Sequence, residues 1–128
     1  MADIPDNLRY TKTHEWVAQE ADGNFRVGIT DHAQKLLGDL VYIELPSVES
    51  QLTAETEVSV LESVKAAADV YTPVSGTILE VNAELNNTPN LVNEQPYGQG
   101  WLFRIRPDNE ADFDDLLTHD QYQDLINE

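Results

Sequence analysis

The chain has no cysteine, and only seven lysines and arginines against 24 aspartates and glutamates. Without a thiol there is no disulfide framework, no thiolate metal site and no cysteine nucleophile. The acidic excess leaves a formal net charge of −17 over 128 residues. Nothing on such a surface could replace the counterions of a phosphate backbone, so no nucleic-acid partner is expected. Docking on an anionic membrane is disfavoured on the same ground. No apolar run approaches the roughly 20 residues of a membrane-spanning helix. Met1-Ala2-Asp3-Ile4-Pro5-Asp6 has neither the basic nor the apolar segment of a signal or transit peptide. The expectation is a soluble, cytoplasmic protein, and self-repulsion at this charge density points to a monomer.

The usual signatures of a self-contained active site are also missing. There is no G-x-S-x-G elbow, no phosphate-binding Walker loop and no G-x-G-x-x-G. Histidines at 14, 32 and 119 have no ligand-like spacing, and His14-Glu15-Trp16 is not the helical HExxH zinc motif. Ser63 has no base or oxyanion hole at a recognisable spacing. The carboxylates are too numerous for one pair to stand out as general acid and base.

What is present is a foldable chain, 41% apolar, with two Trp, five Tyr and three Phe. Its length suits a single domain over residues 1–128, with a β core at about 8–106 and C-terminal helices at about 108–126. Two runs, 14–20 and 25–29, flank Ala21-Asp22-Gly23-Asn24 and read as a hairpin, with Phe25, Val27 and Ile29 facing the core. Thr30 or Asp31 caps a helix of about two turns closed by Gly38, Asp31 and Gln34 having the spacing of a capping box. Leu40 to Leu45 reads as a strand stopped by Pro46, and Ser47 to Glu57 as a polar loop. Thr77 to Val81 alternates as a strand, Asn82 to Asn87 suits a helical turn, and Thr88 to Gly98 reads as irregular. Trp101, Phe103 and Ile105 alternate with Arg104 and Arg106. Phe113, Leu116 and Leu117 predict one short helix, and Thr118 with Gln121 caps a second carrying Tyr122, Leu125 and Ile126.

The chemistry converges on a lysine. Only positions 12, 35 and 65 are lysine, and Lys65 lies among small residues in Leu61-Glu62-Ser63-Val64-Lys65-Ala66-Ala67-Ala68-Asp69. Either it is an ordinary solvated side chain or an uncrowded amine offered for covalent modification. Local propensity leans towards helix here, since Leu, Glu, Lys and three alanines favour it and Val60, Leu61, Val64, Ala67 and Ala68 share a helical face. The competing reading is a hairpin with arms Val58 to Glu62 and Asp69 to Thr72 and Lys65 in its turn. The pattern by itself leaves both open.

Taken together, the segments resemble the H-protein family of the glycine cleavage system. The resemblance rests on His14-Glu15-Trp16, the run from Gly28 to Gln34, Glu44-Leu45-Pro46, Glu62-Ser63-Val64-Lys65-Ala66 and Asp69-Val70-Tyr71. It continues through Pro73-Val74-Ser75-Gly76, Leu91-Val92-Asn93 and the run from Pro96 to Trp101. Each piece is weak alone, but their order and spacing are specific and span nearly the whole chain. Biotinyl domains flank their lysine with methionines, and dehydrogenase lipoyl domains lack His14-Glu15-Trp16 and the C-terminal helices.

The resemblance implies a mainly β, barrel-sandwich hybrid fold of lipoyl/biotinyl type with a short internal helix and C-terminal helices. It puts Lys65 at a hairpin tip as the site of lipoate attachment through an amide, with Glu62 recognised by a lipoate ligase or lipoyltransferase. Glu62 reads equally well as a solvated strand-end carboxylate. A cleft near Thr13, Glu15 and Asp69 would shelter the loaded arm. The implied role is a non-catalytic carrier. Its partners would be a pyridoxal-phosphate-dependent glycine decarboxylase (P-protein), a tetrahydrofolate-dependent aminomethyltransferase (T-protein) and dihydrolipoyl dehydrogenase (L-protein). Two alternatives are a domain that relays lipoate to other enzymes and an acidic interaction module without cofactor. Glu49 and Glu55 stand where the family often has glycine, which leaves the turn types of that loop undetermined.

Overall fold

The computed structural model describes residues 4–127; residues 1–3 and 128, the ends of the expected 1–128 domain, lie outside them. Nine strands follow in chain order: β1 (Arg9–Tyr10), β2 (Glu15–Gln19), β3 (Phe25–Ile29), β4 (Leu40–Glu44), β5 (Gln51–Leu52), β6 (Glu57–Ser63), β7 (Ala67–Tyr71), β8 (Gly76–Val81) and β9 (Phe103–Pro107). Three helices, α1 (Asp31–Leu37), α2 (Leu91–Glu94) and α3 (His119–Ile126), and two 3-10 turns, Ala83–Asn86 and Glu110–Asp115, complete the order. The strands form a six-stranded sheet, β1-β2-β3-β9-β8-β5, and a three-stranded sheet, β4-β6-β7, rather than a closed barrel. All the pairings are antiparallel. This is the mainly β sandwich that the sequence motifs implied.

Alternation explains the core. Phe25, Val27 and Ile29 on β3 are buried, as their period of two requires, and Phe103 and Ile105 on β9 meet them across the sheet. Ile43, Leu61, Val70 and Ile78 close the cluster from β4, β6, β7 and β8. Each such side chain contributes about 1.5–3 kcal/mol relative to exposure. Gly28 breaks the pattern for a packing reason: a Cβ there would lie 2.6 Å from Trp16 Nε1. Trp16 belongs to a second cluster with Tyr10 and Tyr122, which fastens α3 to β1 and β2. Tyr10 and Tyr122 stack with ring centroids 4.7 Å apart. The capping box of α3, Thr118 with Gln121, forms as predicted.

Four local expectations are corrected. The α1 cap is Thr30, whose hydroxyl accepts from the Ala33 N–H; Gln34 reaches the Asp31 side chain, so there is no capping box. The loop at 47–57 contains β5, paired to β8 by Gln51 with Thr77 and Leu52 with Gly76. The stretch 88–98 holds one helical turn, α2. Phe113, Leu116 and Leu117 do not share a helix. A 3-10 turn stops at Asp115, because the Leu117 backbone pairs with Tyr10 and takes the chain into the sheet instead. Two of the four, β5 and the break before Leu117, were decided by partners distant in sequence.

Candidate functional site

The stretch containing Lys65 is a hairpin. β6 and β7 pair from Glu57 with Tyr71 to Glu62 with Ala67, so the arms are longer and the turn tighter than the sequence suggested. Ser63 N–H donates to the Ala66 carbonyl at 2.7 Å, which leaves Val64 and Lys65 at the tip. The Ser63 hydroxyl accepts from Lys65 N–H at 3.2 Å and from Ala66 N–H at 3.0 Å. A short hydroxyl side chain thus does what a helical turn would otherwise do for these amides. The helix-favouring composition loses because β6 is the central strand of its sheet and buries Val58 and Leu61.

The tip is anchored as well as closed. Val64 N–H donates to the Asp39 carbonyl at 3.1 Å, tying it to the segment after α1. Gly38, at φ 82°, lies under the Lys65 side chain: a Cβ there would sit 3.3 Å from Lys65 Cε. Lys65 itself is exposed. Of the other lysines, Lys35 pairs with Asp31 at 3.2 Å and Lys12 lies at the mouth of a cleft. Glu62 is exposed on β6, opposite Tyr42 on one side and Ala67 on the other.

The cleft has a volume of about 340 Å³. Tyr10, Tyr71, Pro73, Leu116 and Leu117 supply apolar wall, Thr11 and Thr13 hydroxyls, and Lys12, Glu55 and Asp115 charge. Glu15 also lines it and is only 1% exposed. Thr11 and Thr13 both donate to Glu15 Oε1 at 2.5 Å, and Tyr71 N–H donates to Oε2 at 3.4 Å. Burial pushes the Glu15 carboxyl above the usual carboxylate range, and these hydrogen bonds only partly offset it. A carboxylate so placed gains from a cationic neighbour.

Of the residues singled out in the sequence, Thr13 and Glu15 come together in this cleft. Asp69 does not line it; it is exposed on β7, two residues before Tyr71. Lys65 and Glu62 lie at the other end of that hairpin. Sequence reasoning passed over Ser63 as a turn-former, although a serine at the first position of a turn is a recognisable signal. It also passed over Glu55, Asp115 and the Tyr71 N–H, for which no local signal exists.

His14, the residue before Glu15, belongs to a separate hydrogen-bonded group. The Tyr122 hydroxyl lies 2.7 Å from Thr30 Oγ1 and 2.8 Å from His14 Nδ1. Burial pushes the Tyr122 phenol up to about 12. Burial, and then the neighbouring His32 ring at 4.9 Å, lower the His14 pKa. Among the described residues no three His, Asp or Glu side chains gather as metal ligands, and no helix is long and apolar enough to cross a membrane.

Comparison with known proteins adds to this geometry. The family model described as "Glycine cleavage H-protein" matches residues 8–128. The chain is 53% identical over 126 residues to the glycine cleavage system H protein of Alkalilimnicola ehrlichii, covering 98% of this chain and 97% of that one. It is 55% identical over 126 residues to the protein of the same name from Coxiella burnetii, with 98% and 97% covered. A crystal structure of a glycine cleavage system H protein from Mycobacterium marinum superposes with a TM-score of 0.88 at 38% identity, covering 98% of this chain and 100% of that one.

Proposed function

Because the chain belongs to the glycine cleavage H-protein family, we propose that it is the lipoyl-bearing shuttle of that system, with lipoate carried on Lys65. The observation that carries this reading is the exposed Lys65 side chain at an anchored hairpin tip. The residues there suit the group: the amine faces solvent, small side chains follow it, and a cleft with apolar walls and a buried carboxylate is available on the same molecule.

Lipoate would supply a dithiolane that takes the aminomethyl group of glycine at a pyridoxal-phosphate-dependent decarboxylase, yields it to a tetrahydrofolate-dependent aminomethyltransferase and is reoxidised by dihydrolipoyl dehydrogenase. The chain's own residues hold, present and shelter. Lys65 is the amide anchor. Glu62, exposed three residues before it, is the acid read by the lipoate ligase or lipoyltransferase. Glu15 offers its carboxylate to the protonated amine of the loaded arm, Thr13 orients that carboxylate, and the apolar walls slow hydrolysis by keeping water out. Asp69, exposed on the strand that leads from the tip towards Tyr71, meets the arm on its way. The protein acts as a cytoplasmic monomer and does no chemistry alone.

Intact mass and peptide mapping after incubation with a lipoate ligase test the anchor. Modification at Lys65 is expected; an unmodified Lys65, with a control lipoyl domain modified in the same mixture, overturns the reading. Reconstituted glycine decarboxylation with wild type and Lys65→Arg then separates a shuttle from a relay of lipoate. Arginine keeps the charge but cannot form the lipoamide, so the variant is expected to be inactive.

A further inference from the structure

Large apolar side chains are seldom left in water in groups unless something covers them. Five are exposed among the described residues: Leu36, Val41, Tyr42, Val48 and Val64. Four of these five fall on the segments that meet at Lys65, namely the end of α1, the start of β4 and the hairpin tip. A β-bulge explains two of them. Leu40 pairs with Ser63 and Tyr42 with Glu62, so Val41 is an extra residue in β4. Strict alternation would have turned Val41 outward and Tyr42 inward. With the bulge, Leu40 and Ile43 are buried, while Val41 is 56% and Tyr42 53% exposed side by side. Val64, at 71%, is exposed at the tip, and its N–H is bonded to the carbonyl of Asp39, two residues before Val41. Asp39, Glu44 and Glu62 are exposed along its edge. Glu44 shares the outer face of β4 with Tyr42, and Glu62 stands directly opposite Tyr42 on β6.

We propose that Val41, Tyr42 and Val64, edged by Asp39, Glu44 and Glu62, are the docking surface for the enzyme that forms the amide on Lys65, a partner presenting an apolar recess bordered by lysine or arginine. This rests on Lys65 being the lipoylation site. The occupant follows from reach. A partner that works on the far end of an arm can stand away from the tip. The enzyme that attaches the arm must bring its acyl carbon to bonding distance of Lys65 Nζ, and so must lie against whatever flanks that lysine. In that step the neutral amine adds to the carbonyl carbon of a lipoyl–adenylate mixed anhydride made from ATP. The N–C bond forms as AMP leaves with the electron pair, and the ammonium proton passes to solvent. The carboxylate edge matches a basic rim and steers encounter, while the apolar pair supplies the desolvated centre.

The test is lipoylation kinetics of the full apo-protein with a lipoate ligase, ATP and lipoate, read by intact mass. Val41→Ser with Tyr42→Ser in one chain is expected to lower kcat/KM at least about tenfold, chiefly through KM. Val48→Ser, at an exposed apolar residue near β8, is expected to leave it unchanged. A kcat/KM within about twofold of wild type for the double variant overturns the proposal. So does normal lipoylation combined with slowed glycine decarboxylation, which would assign the surface to another partner. If wild-type Lys65 itself stays unmodified, the underlying anchor fails instead, and the two failures are distinct. A binding readout serves if the double variant folds poorly. Lys65→Arg added as a competitor is expected to inhibit modification of wild type, and Lys65→Arg with Tyr42→Ser to inhibit it more weakly. Equal inhibition by both overturns the proposal.

Discussion

The backbone N–H of Tyr71 points at Oε2 of Glu15, 3.4 Å away. Tyr71 ends β7, the strand that begins just past Lys65, so one strand runs from the candidate attachment lysine to the buried carboxylate. Six residues of extended chain span about 20 Å. Two places far apart in sequence, Glu15 and Lys65, thereby acquire a defined separation along a hydrogen-bonded strand rather than across a mobile loop.

Glu15 should make stability fall as pH rises through the acid range. Its folded pKa lies above that of the unfolded chain, so between the two the folded state holds more protons and loses stability with rising pH. Glu15→Gln cannot ionise. Its melting temperature relative to wild type should therefore increase from pH 4 to pH 7, and a pH-independent difference would contradict the buried-charge account. In the loaded protein the same variant is expected to lose its aminomethyl group faster.

His14 carries the opposite sign. Its folded pKa lies below that of the unfolded chain, so the stability due to neutral His14 is complete above about pH 6.5 and is lost as pH falls below that value. His14 also sits at φ 73°, a conformation that asparagine tolerates. His14→Asn should lower stability at neutral pH, yet flatten its decline between pH 7 and pH 5 in thermal melts.

Glu49 and Glu55 adopt φ 72° and 68°, the left-handed region that glycine favours. The loop geometry thus survives without the glycines, held by Glu49 N–H on the Ile78 carbonyl and Glu55 N–H on the Thr72 carbonyl. Glu49→Gly should relieve that conformation and stabilise the protein by about 1 kcal/mol, less the entropy glycine adds to the unfolded chain. Chemical denaturation would show a raised midpoint at an unchanged slope. Glu55→Gly should do the same, but it also removes a charge from the cleft.

Ser63→Ala should loosen the tip without unfolding the sheet. The Lys65 and Ala66 amides would lose the hydroxyl that accepts from them, at about 1 kcal/mol of local stability. Faster hydrogen exchange at those two amides, with β3 and β9 unchanged, is the expected signature. Unchanged exchange at both would mean that the backbone bonds alone hold the turn.

Tyr122→Phe removes the hydroxyl shared by Thr30 and His14. Thr30 is fully buried and keeps its bond to Ala33, so the cost falls mainly on partners left unsatisfied, about 1–3 kcal/mol. A lowered denaturation midpoint with α3 still docked, seen by near-UV dichroism, would fit this.

The sequence alone determined the elements whose signals are local. The hairpin at 15–29, the Thr118 cap of α3 and the buried faces of β3 and β9 follow from turn chemistry and a period of two, which neighbours along the chain enforce. Its motifs also carried the family. Only the tertiary structure decided what depends on partners remote in sequence. Leu117 leaves its expected helix because Tyr10 takes its backbone bonds. Tyr42 faces solvent because a bulge against β6 shifts the register of β4. Lys65 stands at a tip, in a stretch whose propensity leans towards helix, because Val58 and Leu61 on its strand bury their side chains in the sandwich. Burial of that kind outweighs propensities of a few tenths of a kcal/mol per residue.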